Sequence, residues 1–263
     1  MSNFITTRSA RIHVTDEGRG DVALIFLHYW GGSTRTWHKV TEGLTPSTRC
    51  VGIDLRGWGK SEARDGRYDL DAMAEDVSEV ISALGLKRVV LVGHSMGGKV
   101  AQIVATASPA MAEALILVAP SPATGMPVPA DIRAQMLESY QSAEGVSQAL
   151  TILAHRPLSE ADRAMVVEDT LAGADGAKRA WTETGMITPL QGDISAIAVP
   201  VRILVGDKDG VERAEDLNRI YAGLLPHAEL EILPDTGHLS PLENPEAIIA
   251  ACQRQLAKLV AST

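Results

Sequence analysis

The stretch VVLVGHSMGG, residues 89–98, decides the fold. Its four leading apolar residues predict a buried strand, and Met96–Ala107 then continues as a helix. Gly93 and Gly97 stand two residues before and after Ser95, where a Cβ would collide with the backbone of a tight turn. The stretch therefore predicts a strand–turn–helix unit that holds Ser95 in a strained backbone conformation.

Short apolar runs of the same kind recur along the chain and are bounded by Gly, Pro or Asp. The runs are Val22–Leu27, Cys50–Leu55, Val89–Val92, Ala114–Val118, Val201–Val205 and Leu230–Leu233. Because they are continuous rather than alternating, they indicate strands covered on both faces, as in a parallel sheet. Segments of helical period such as Leu70–Leu84 and Ala247–Val260 lie between or after them. The alternation predicts an α/β fold with a doubly wound, mostly parallel sheet.

One part of the chain breaks this alternation. Residues 121–194 contain no strand-like run and show helical pieces at 130–143, 145–154, 159–172 and 176–186. The entrance, residues 120–129, holds four prolines and cannot form one regular element. We therefore predict a helical cap, residues 121–194, inserted into a core formed by residues 1–120 and 195–263. The name cap is kept for this segment below.

Composition restricts the partners. The 263-residue chain carries 24 Lys and Arg against 33 Asp and Glu, a net charge of −9, without a basic stripe. Nucleic acid and anionic membrane surfaces are therefore not expected as partners. The two cysteines have no metal-ligand spacing, the first residues have no apolar signal region, and Ala114–Ala119 is too short to span a bilayer. These features predict a soluble, cytoplasmic protein that acts on a small molecule without metal or organic cofactor, and they leave the oligomeric state open.

The turn at Ser95 has two other interpretations. It could be a glycine-rich turn around a buried serine. Residues 93–99 also fit G-x-x-x-x-G-K, a phosphate-binding loop, with Lys99 as the phosphate ligand. Val100 argues against the phosphate-binding loop, because that position needs a hydroxyl to bind Mg²⁺.

A nucleophilic serine needs a base and an acid that orients the base. His238 follows the last predicted strand, and parallel strands open their carboxyl ends on one edge, so we expect His238 near Ser95. The acid should also follow a strand. Both Asp207 and Asp209 do so, and Asp209 is favoured because it lies deeper in the loop, before Gly210. The chain order is then Ser, Asp, His.

An oxyanion hole needs two fixed donors. One should be the N–H of Met96, directly after the serine. The loop after the first long strand, His28 to Ser33, should supply the other, and we assign it to the N–H of Trp30.

With these motifs in place, the chain resembles the α/β-hydrolase fold family over nearly its whole length. Asp54-Leu-Arg-Gly-Trp-Gly-Lys-Ser61 is similar to the D-x-R-G-x-G-x-S turn of that family, Leu204–Asp209 to its acid loop, and Gly237-His238 to its histidine loop. The resemblance implies a cap over the pocket and supports Asp209 as the acid. It also implies structural roles for Arg56, in a buried ion pair, and for His28, as a brace of the oxyanion loop.

The same resemblance narrows the chemistry. Ser95 stands where dehalogenase and epoxide hydrolase members have Asp, and Gly31 stands where perhydrolase members usually have Pro. Tyr29 replaces the usual Gly after His28, which implies either a narrower acyl pocket or a tilted loop with the N–H of Tyr29 as donor.

The hypothesis that follows is a serine hydrolase that cleaves a small or medium carboxylic ester or lactone through an acyl-enzyme. Trp181, Met186 and Ile187 of the cap are expected to form apolar pocket wall, although ordinary packing of the cap accounts for them equally well. Carbon–carbon bond hydrolysis and cofactor-free perhydrolysis are less favoured alternatives. A ligand-binding protein that keeps the fold without turnover is the main alternative from another class.

Overall fold

The computed structural model describes residues 2–261, and these form one sheet of nine strands. The strands are β1 Ser2–Thr6, β2 Ala10–Glu17, β3 Val22–Leu27, β4 Arg49–Ile53, β5 Glu62–Ala63, β6 Arg88–His94, β7 Ala114–Val118, β8 Val201–Gly206 and β9 Glu229–Leu233. Their order is β1-β2-β4-β3-β6-β7-β8-β9, with β5 paired to β2. In the part of this order that runs β4-β3-β6-β7-β8-β9, every neighbouring pair is parallel. The prediction of a doubly wound, mostly parallel sheet is therefore confirmed.

Helices cover both faces of this sheet. They are α1 His38–Leu44, α2 Leu70–Ala83, α3 Met96–Ala107, α4 Ala130–Ser139, α5 Ala143–Leu153, α6 Glu160–Ala172, α7 Asp175–Ala180, α8 Ala214–Leu224, α9 Ser240–Glu243 and α10 Pro245–Ala261. Side chains of β6 alternate between two buried clusters, with Leu91 in the cluster that includes α2, α3 and α8, and Val92 in the cluster that includes α1 and α10. This two-sided burial explains why the parallel strands read as continuous apolar runs.

The amino-terminal part of the sheet was not among the six predicted runs. Strand β1 is antiparallel to β2, and β2 is antiparallel to β4. Most of β1 is exposed, so it carries no apolar run that could reveal it.

Between β7 and β8, α4 to α7 lie without a strand. The helix expected over 130–143 ends at Ser139 because the Ser142 hydroxyl accepts the N–H of Gly145 and begins α5. The helix expected over 176–186 consists of α7 and a π-helical turn, Trp181–Gly185. The limits of the cap stay a prediction.

The register of the parallel strands aligns their carboxyl ends. Leu27 pairs with Gly93, His94 with Val118, and Val118 with Leu204. The loops that follow β3, β6 and β8 therefore start at the same edge of the sheet. Within residues 2–261, no helix is long and apolar enough to cross a membrane.

Candidate active site

Ser95 occupies the sharp turn between β6 and α3. Its backbone has φ 51° and ψ −112°, a left-handed conformation that costs a residue other than glycine on the order of 1–3 kcal/mol. A Cβ on Gly93 would lie 2.4 Å from the carbonyl oxygen of Gly97, and one on Gly97 would lie 2.4 Å from that of Leu27. The two glycines therefore allow the close approach that the turn requires, as their spacing predicts. Ser95 itself is 7% exposed.

The amino terminus of α3 is open for an anion. The Ser95 side chain does not cap the helix and, among the residues described, makes no hydrogen bond. Within residues 2–261, no atom accepts the N–H of Met96. Free N–H groups at a helix start carry a partial positive charge that attracts a developing oxyanion. The N–H of Met96 is thus available for the predicted role.

The loop after β3 presents the second predicted donor. The Leu55 N–H donates to Nε2 of His28 over 2.9 Å, so Nδ1 carries the proton and donates to the carbonyl oxygen of Tyr29 over 2.7 Å. The same carbonyl accepts the N–H of Gly32. Burial lowers the pKa of His28 and keeps its ring neutral.

This contact fixes the peptide between Tyr29 and Trp30. Because the peptide is trans, the Trp30 N–H points away from the His28 ring that holds the Tyr29 carbonyl. No described residue accepts the Trp30 N–H. Trp30 therefore offers an unoccupied donor, and the expected brace by His28 is confirmed.

Asp209 and His238 are hydrogen bonded. Oδ2 of Asp209 lies 2.9 Å from Nδ1 of His238, and both side chains are buried. Oδ1 accepts the N–H groups of Val211 and Glu212, each over 2.8 Å, which holds the carboxylate in place. Nε2 of His238 is then left to exchange a proton with a substrate or with Ser95.

Asp207, the alternative acid, points elsewhere. Its side chain is 34% exposed and contacts Lys208 and the N–H of Thr236. These contacts, with burial acting in the opposite sense, lower the pKa of Asp207. Asp235, which is closer in sequence to His238, pairs with His155 and Arg156 of the cap.

The acid loop and the histidine loop touch backbone to backbone. A Cβ on Gly206 would lie 1.9 Å from the carbonyl oxygen of Thr236. The N–H of Lys208 donates to that oxygen over 3.0 Å, and the N–H of Asp207 donates to the carbonyl of Leu233 over 3.0 Å. The separation of Asp209 and His238 is therefore set by main-chain contacts.

His94 joins the serine turn to the histidine loop. Nε2 of His94 donates to the carbonyl oxygen of His238 over 2.8 Å, and the two rings lie 5.1 Å apart. Burial and the nearby His238 ring lower the pKa of His94 well below its ordinary value, so it is neutral. Ser95 follows His94 directly, although no hydrogen bond joins its hydroxyl to His238 among the described residues. In structures without substrate, catalytic hydrogen bonds are often longer than in the reacting complex.

Two buried groups near the site have surroundings that the sequence did not predict, Glu212 and Lys99. Glu212 is 5% exposed, and one of its carboxyl oxygens has no hydrogen-bond partner. Burial, followed by the nearby Asp209, raises the pKa of Glu212 well above its ordinary value. Lys99 donates to the carbonyl oxygens of Gly185 and Thr188 in the cap, both over 2.8 Å.

The Lys99 contacts overturn the phosphate-loop interpretation. Its ammonium is buried against the cap and its donors face carbonyl oxygens instead of an open loop. Burial lowers the pKa of Lys99 to about 8. A lysine used in this way cannot also reach the phosphates of a nucleotide.

The predicted pocket residues are largely buried. Tyr29 is 2% exposed and its ring lies 5.2 Å from that of His94. Trp181 and Met186 belong to the main core cluster, and Ile187 packs against it. The carbonyl of Met186 accepts the N–H of Met126. No hydrogen bond or ring contact joins the three cap residues to Ser95 within residues 2–261, so their role as pocket wall stays a prediction.

The turn from Asp54 to Ser61 is structural. Asp54 contacts Nδ1 of His13 over 2.7 Å and accepts the N–H groups of Thr34 and Lys60. Arg56 is completely buried and bonds Asp76 over 2.6 Å, which confirms the expected ion pair. The strand predicted over Cys50–Leu55 ends at Ile53 because Asp54 turns into this network.

Comparisons with known proteins identify the family of this fold. The model of the alpha/beta hydrolase family matches residues 24–251. A putative 2-succinyl-6-hydroxy-2,4-cyclohexadiene-1-carboxylate synthase from Bacillus subtilis is 28% identical, over 92% of this chain and 93% of its own. A pimeloyl-[acyl-carrier protein] methyl ester esterase from Pectobacterium carotovorum is 27% identical, over 90% of this chain and 95% of its own.

Among solved structures, an esterase from Exiguobacterium antarcticum superposes with a TM-score of 0.88 and 23% identity. The alignment covers 98% of this chain and 100% of the esterase. At that identity the likeness establishes the fold alone. Since the family model spans most of the chain, the chain belongs to the alpha/beta hydrolase family.

Proposed function

We propose that this protein is a serine hydrolase that cleaves a small or medium carboxylic ester or lactone through an acyl-enzyme. The observation that carries the proposal is the arrangement at one sheet edge. A serine in a strained turn, at the open start of a helix, directly follows His94, whose ring donates to the His238 carbonyl of a buried Asp209–His238 pair. Strain of this kind in a turn between a strand and a helix is typical of a nucleophile that the fold holds in place.

The chemistry follows from these groups. Nε2 of His238 takes the proton of Ser95 as Oγ attacks the carbonyl carbon, and Asp209 stabilises the imidazolium through Nδ1. The N–H groups of Met96 and Trp30 stabilise the negative oxygen of the tetrahedral intermediate.

The reaction is completed in two stages, release of the alcohol and hydrolysis of the acyl-enzyme. The carbon–oxygen bond to the alcohol breaks, and the alcohol leaves with the proton held on His238. Water, deprotonated by the same imidazole, attacks the acyl group, and the acid leaves as Ser95 regains its proton. In a lactone the alcohol and the acid belong to one product.

Burial favours a substrate of limited size. Ser95 is 7% exposed and His238 is 2% exposed, and cap residues contact both α3, at Lys99, and the loop that carries His238, at Asp235. The relative from Pectobacterium carotovorum is named as a methyl ester esterase, which supports the same bond type. A specific ester or lactone is left to a substrate panel.

The test uses an alkyl fluorophosphonate and p-nitrophenyl esters of short acids. We expect the wild-type chain to form a covalent adduct at Ser95, located by peptide mass spectrometry, and to hydrolyse the esters. Ser95→Ala should lose both, and Ser82→Ala, which alters a serine on α2, should keep both. Ester turnover that persists in Ser95→Ala would refute the proposal. A wild-type chain without label or turnover would favour the ligand-binding alternative.

A further inference from the structure

The loop that carries the second oxyanion donor is held by the cap as well as by the core. We propose that Tyr140 and Thr170 are positioning residues that fix the Trp30 N–H, so that the oxyanion hole is complete only while the cap is closed. This inference rests on the proposed serine mechanism. It assigns to the cap a part in the chemical step, in addition to covering the substrate.

Three consecutive carbonyls of the loop have fixed partners. The first, of Tyr29, is held from the core by His28. The next two are held from the cap, because the Tyr140 hydroxyl donates to the Trp30 carbonyl over 3.3 Å and the Thr170 hydroxyl donates to the Gly31 carbonyl over 3.0 Å. The core therefore fixes one side of the Trp30 residue and the cap fixes the other.

Ring packing adds to these hydrogen bonds. The rings of Trp30 and Tyr140 stack with centroids 3.8 Å apart and planes within 12°. Both residues are buried, as is Thr170. Stacked aromatic pairs resist sliding, so Tyr140 limits rotation of the Trp30 residue about its backbone.

Gly31 fits tightly beneath the same cap residues. Its φ of 97° is open to few residues other than glycine. A Cβ there would lie 2.8 Å from a ring carbon of Tyr140 and 2.9 Å from the Thr170 hydroxyl. The cap and the loop are thus in direct contact at the residue after the donor.

A hydrogen bond and ion pairs join the next residues of the chain, Ser33 and Arg35, to α6. The Ser33 hydroxyl donates to Asp169 over 2.7 Å, and Nε of Arg35 donates to Asp169 over 3.0 Å. Arg35 also bonds Glu168. Three successive residues of α6, 168–170, therefore hold this segment at Gly31, Ser33 and Arg35.

These contacts predict a specific kinetic effect. Because cap hydroxyls hold the Trp30 and Gly31 carbonyls, movement of the cap away from the loop breaks both hydrogen bonds. Oxyanion donors bind the transition state more strongly than the substrate, so a loosened loop lowers kcat and leaves KM nearly unchanged.

The test compares Thr170→Val with Thr170→Ser on a p-nitrophenyl ester. Loss of a complete oxyanion donor typically lowers kcat by about 10²–10³-fold, and we expect a displaced donor to lower it by about tenfold in Thr170→Val. KM should change less than about twofold, and the inhibition constant of phenylboronic acid, which forms a tetrahedral adduct with the serine, should rise by about the same factor as kcat falls. Thr170→Ser, which keeps the hydroxyl, should restore both values.

Tyr140→Phe serves as a second variant, since it removes the hydroxyl donor and keeps the stacked ring. Arg133→Ala is the matched control, because Arg133 donates to the Thr182 carbonyl inside the cap and does not contact the loop. We expect wild-type kinetics in this control. Circular dichroism and thermal unfolding establish that each variant is folded.

The outcomes separate the two proposals. A wild-type chain without activity or Ser95 labelling would remove the serine mechanism itself. An active wild type whose Thr170→Val and Tyr140→Phe variants keep kcat and boronate affinity within about twofold would overturn the positioning role alone. An equal loss in Thr170→Ser, or in the Arg133→Ala control, would also overturn it, because the effect would then not depend on the hydrogen bond to the loop.

Discussion

Replacing Asp209 with asparagine tests the catalytic arrangement most directly. Oδ1 of Asp209 accepts the N–H groups of Val211 and Glu212, and an asparagine oxygen can accept both in the same position. The amide nitrogen then faces Nδ1 of His238 in place of Oδ2, which lies 2.9 Å away. Because an amide nitrogen only donates, His238 has to accept at Nδ1 and carry its proton on Nε2.

A proton on Nε2 prevents His238 from taking the proton of Ser95. The loss of the correct tautomer in a serine triad lowers kcat by about 10⁴-fold, which corresponds to about 5 kcal/mol of barrier. The fold should survive, because the loop keeps its two backbone hydrogen bonds. Initial rates with p-nitrophenyl butyrate measure kcat, and denaturant unfolding measures stability.

Asp207→Asn is the matched control in the same loop. Asp207 is 34% exposed and does not contact His238, so we expect a change in kcat of less than about threefold. Asp209→Asn with more than about a tenth of wild-type activity would refute the reasoning. An equally large loss in Asp207→Asn would show that the wrong carboxylate had been assigned.

Three further predictions concern buried groups. The raised pKa of Glu212 means that the folded chain binds a proton that the unfolded chain releases, so the contribution of Glu212 to the free energy of unfolding falls as pH rises above about 4.5, while the lowered pKa values of His28 and His94 act in the opposite sense below about 6.5. The free energy of unfolding of the wild type relative to Glu212→Gln should therefore fall between about pH 5 and about pH 8 in urea titrations. The lowered pKa of Lys99 acts in the opposite sense, since the unfolded chain binds more protons at this group between about pH 8 and pH 10.5. The stability of the wild type relative to Lys99→Met should therefore rise with pH in urea titrations at about pH 8 and about pH 10. Gly31→Ala should lower stability by about 1–3 kcal/mol because of its φ of 97° and the close Tyr140 ring, and denaturant unfolding that matches wild type would contradict the observed packing.

Local sequence was sufficient to predict the sharp turn at Ser95 and the parallel strands. Gly93, Ser95 and Gly97 report backbone constraints within one turn, and the strand before them is apolar because both of its faces are covered. The sequence narrowed the acid to Asp207 or Asp209. The choice of Asp209 between them depended on family resemblance and on its depth in the loop. Which carboxylate meets His238 depends on contacts between two loops that lie 29 residues apart in the chain.

Contacts across the cap were beyond the sequence patterns. Tyr140 lies 110 residues from Trp30, and Thr170 lies 139 residues from Gly31. Neither residue stands in a motif, and a tyrosine or threonine in a helical segment is as common in ordinary packing. Lys99 did stand in a motif, but its partners, Gly185 and Thr188, are backbone carbonyls that any residue supplies. Glu212 gave no signal, because an acidic residue in a loop is usually solvated.

The close approach at Gly206 has a consequence for mutagenesis of this chain. Because even a methyl group at Gly206 would overlap the Thr236 carbonyl, the acid and histidine segments tolerate little change in side-chain volume at their junction. Libraries designed to alter selectivity should hold this junction constant, together with Tyr140, Asp169 and Thr170, and place their diversity at other positions of the cap. New specificities would then be selected without repeated loss of the proton-transfer pair.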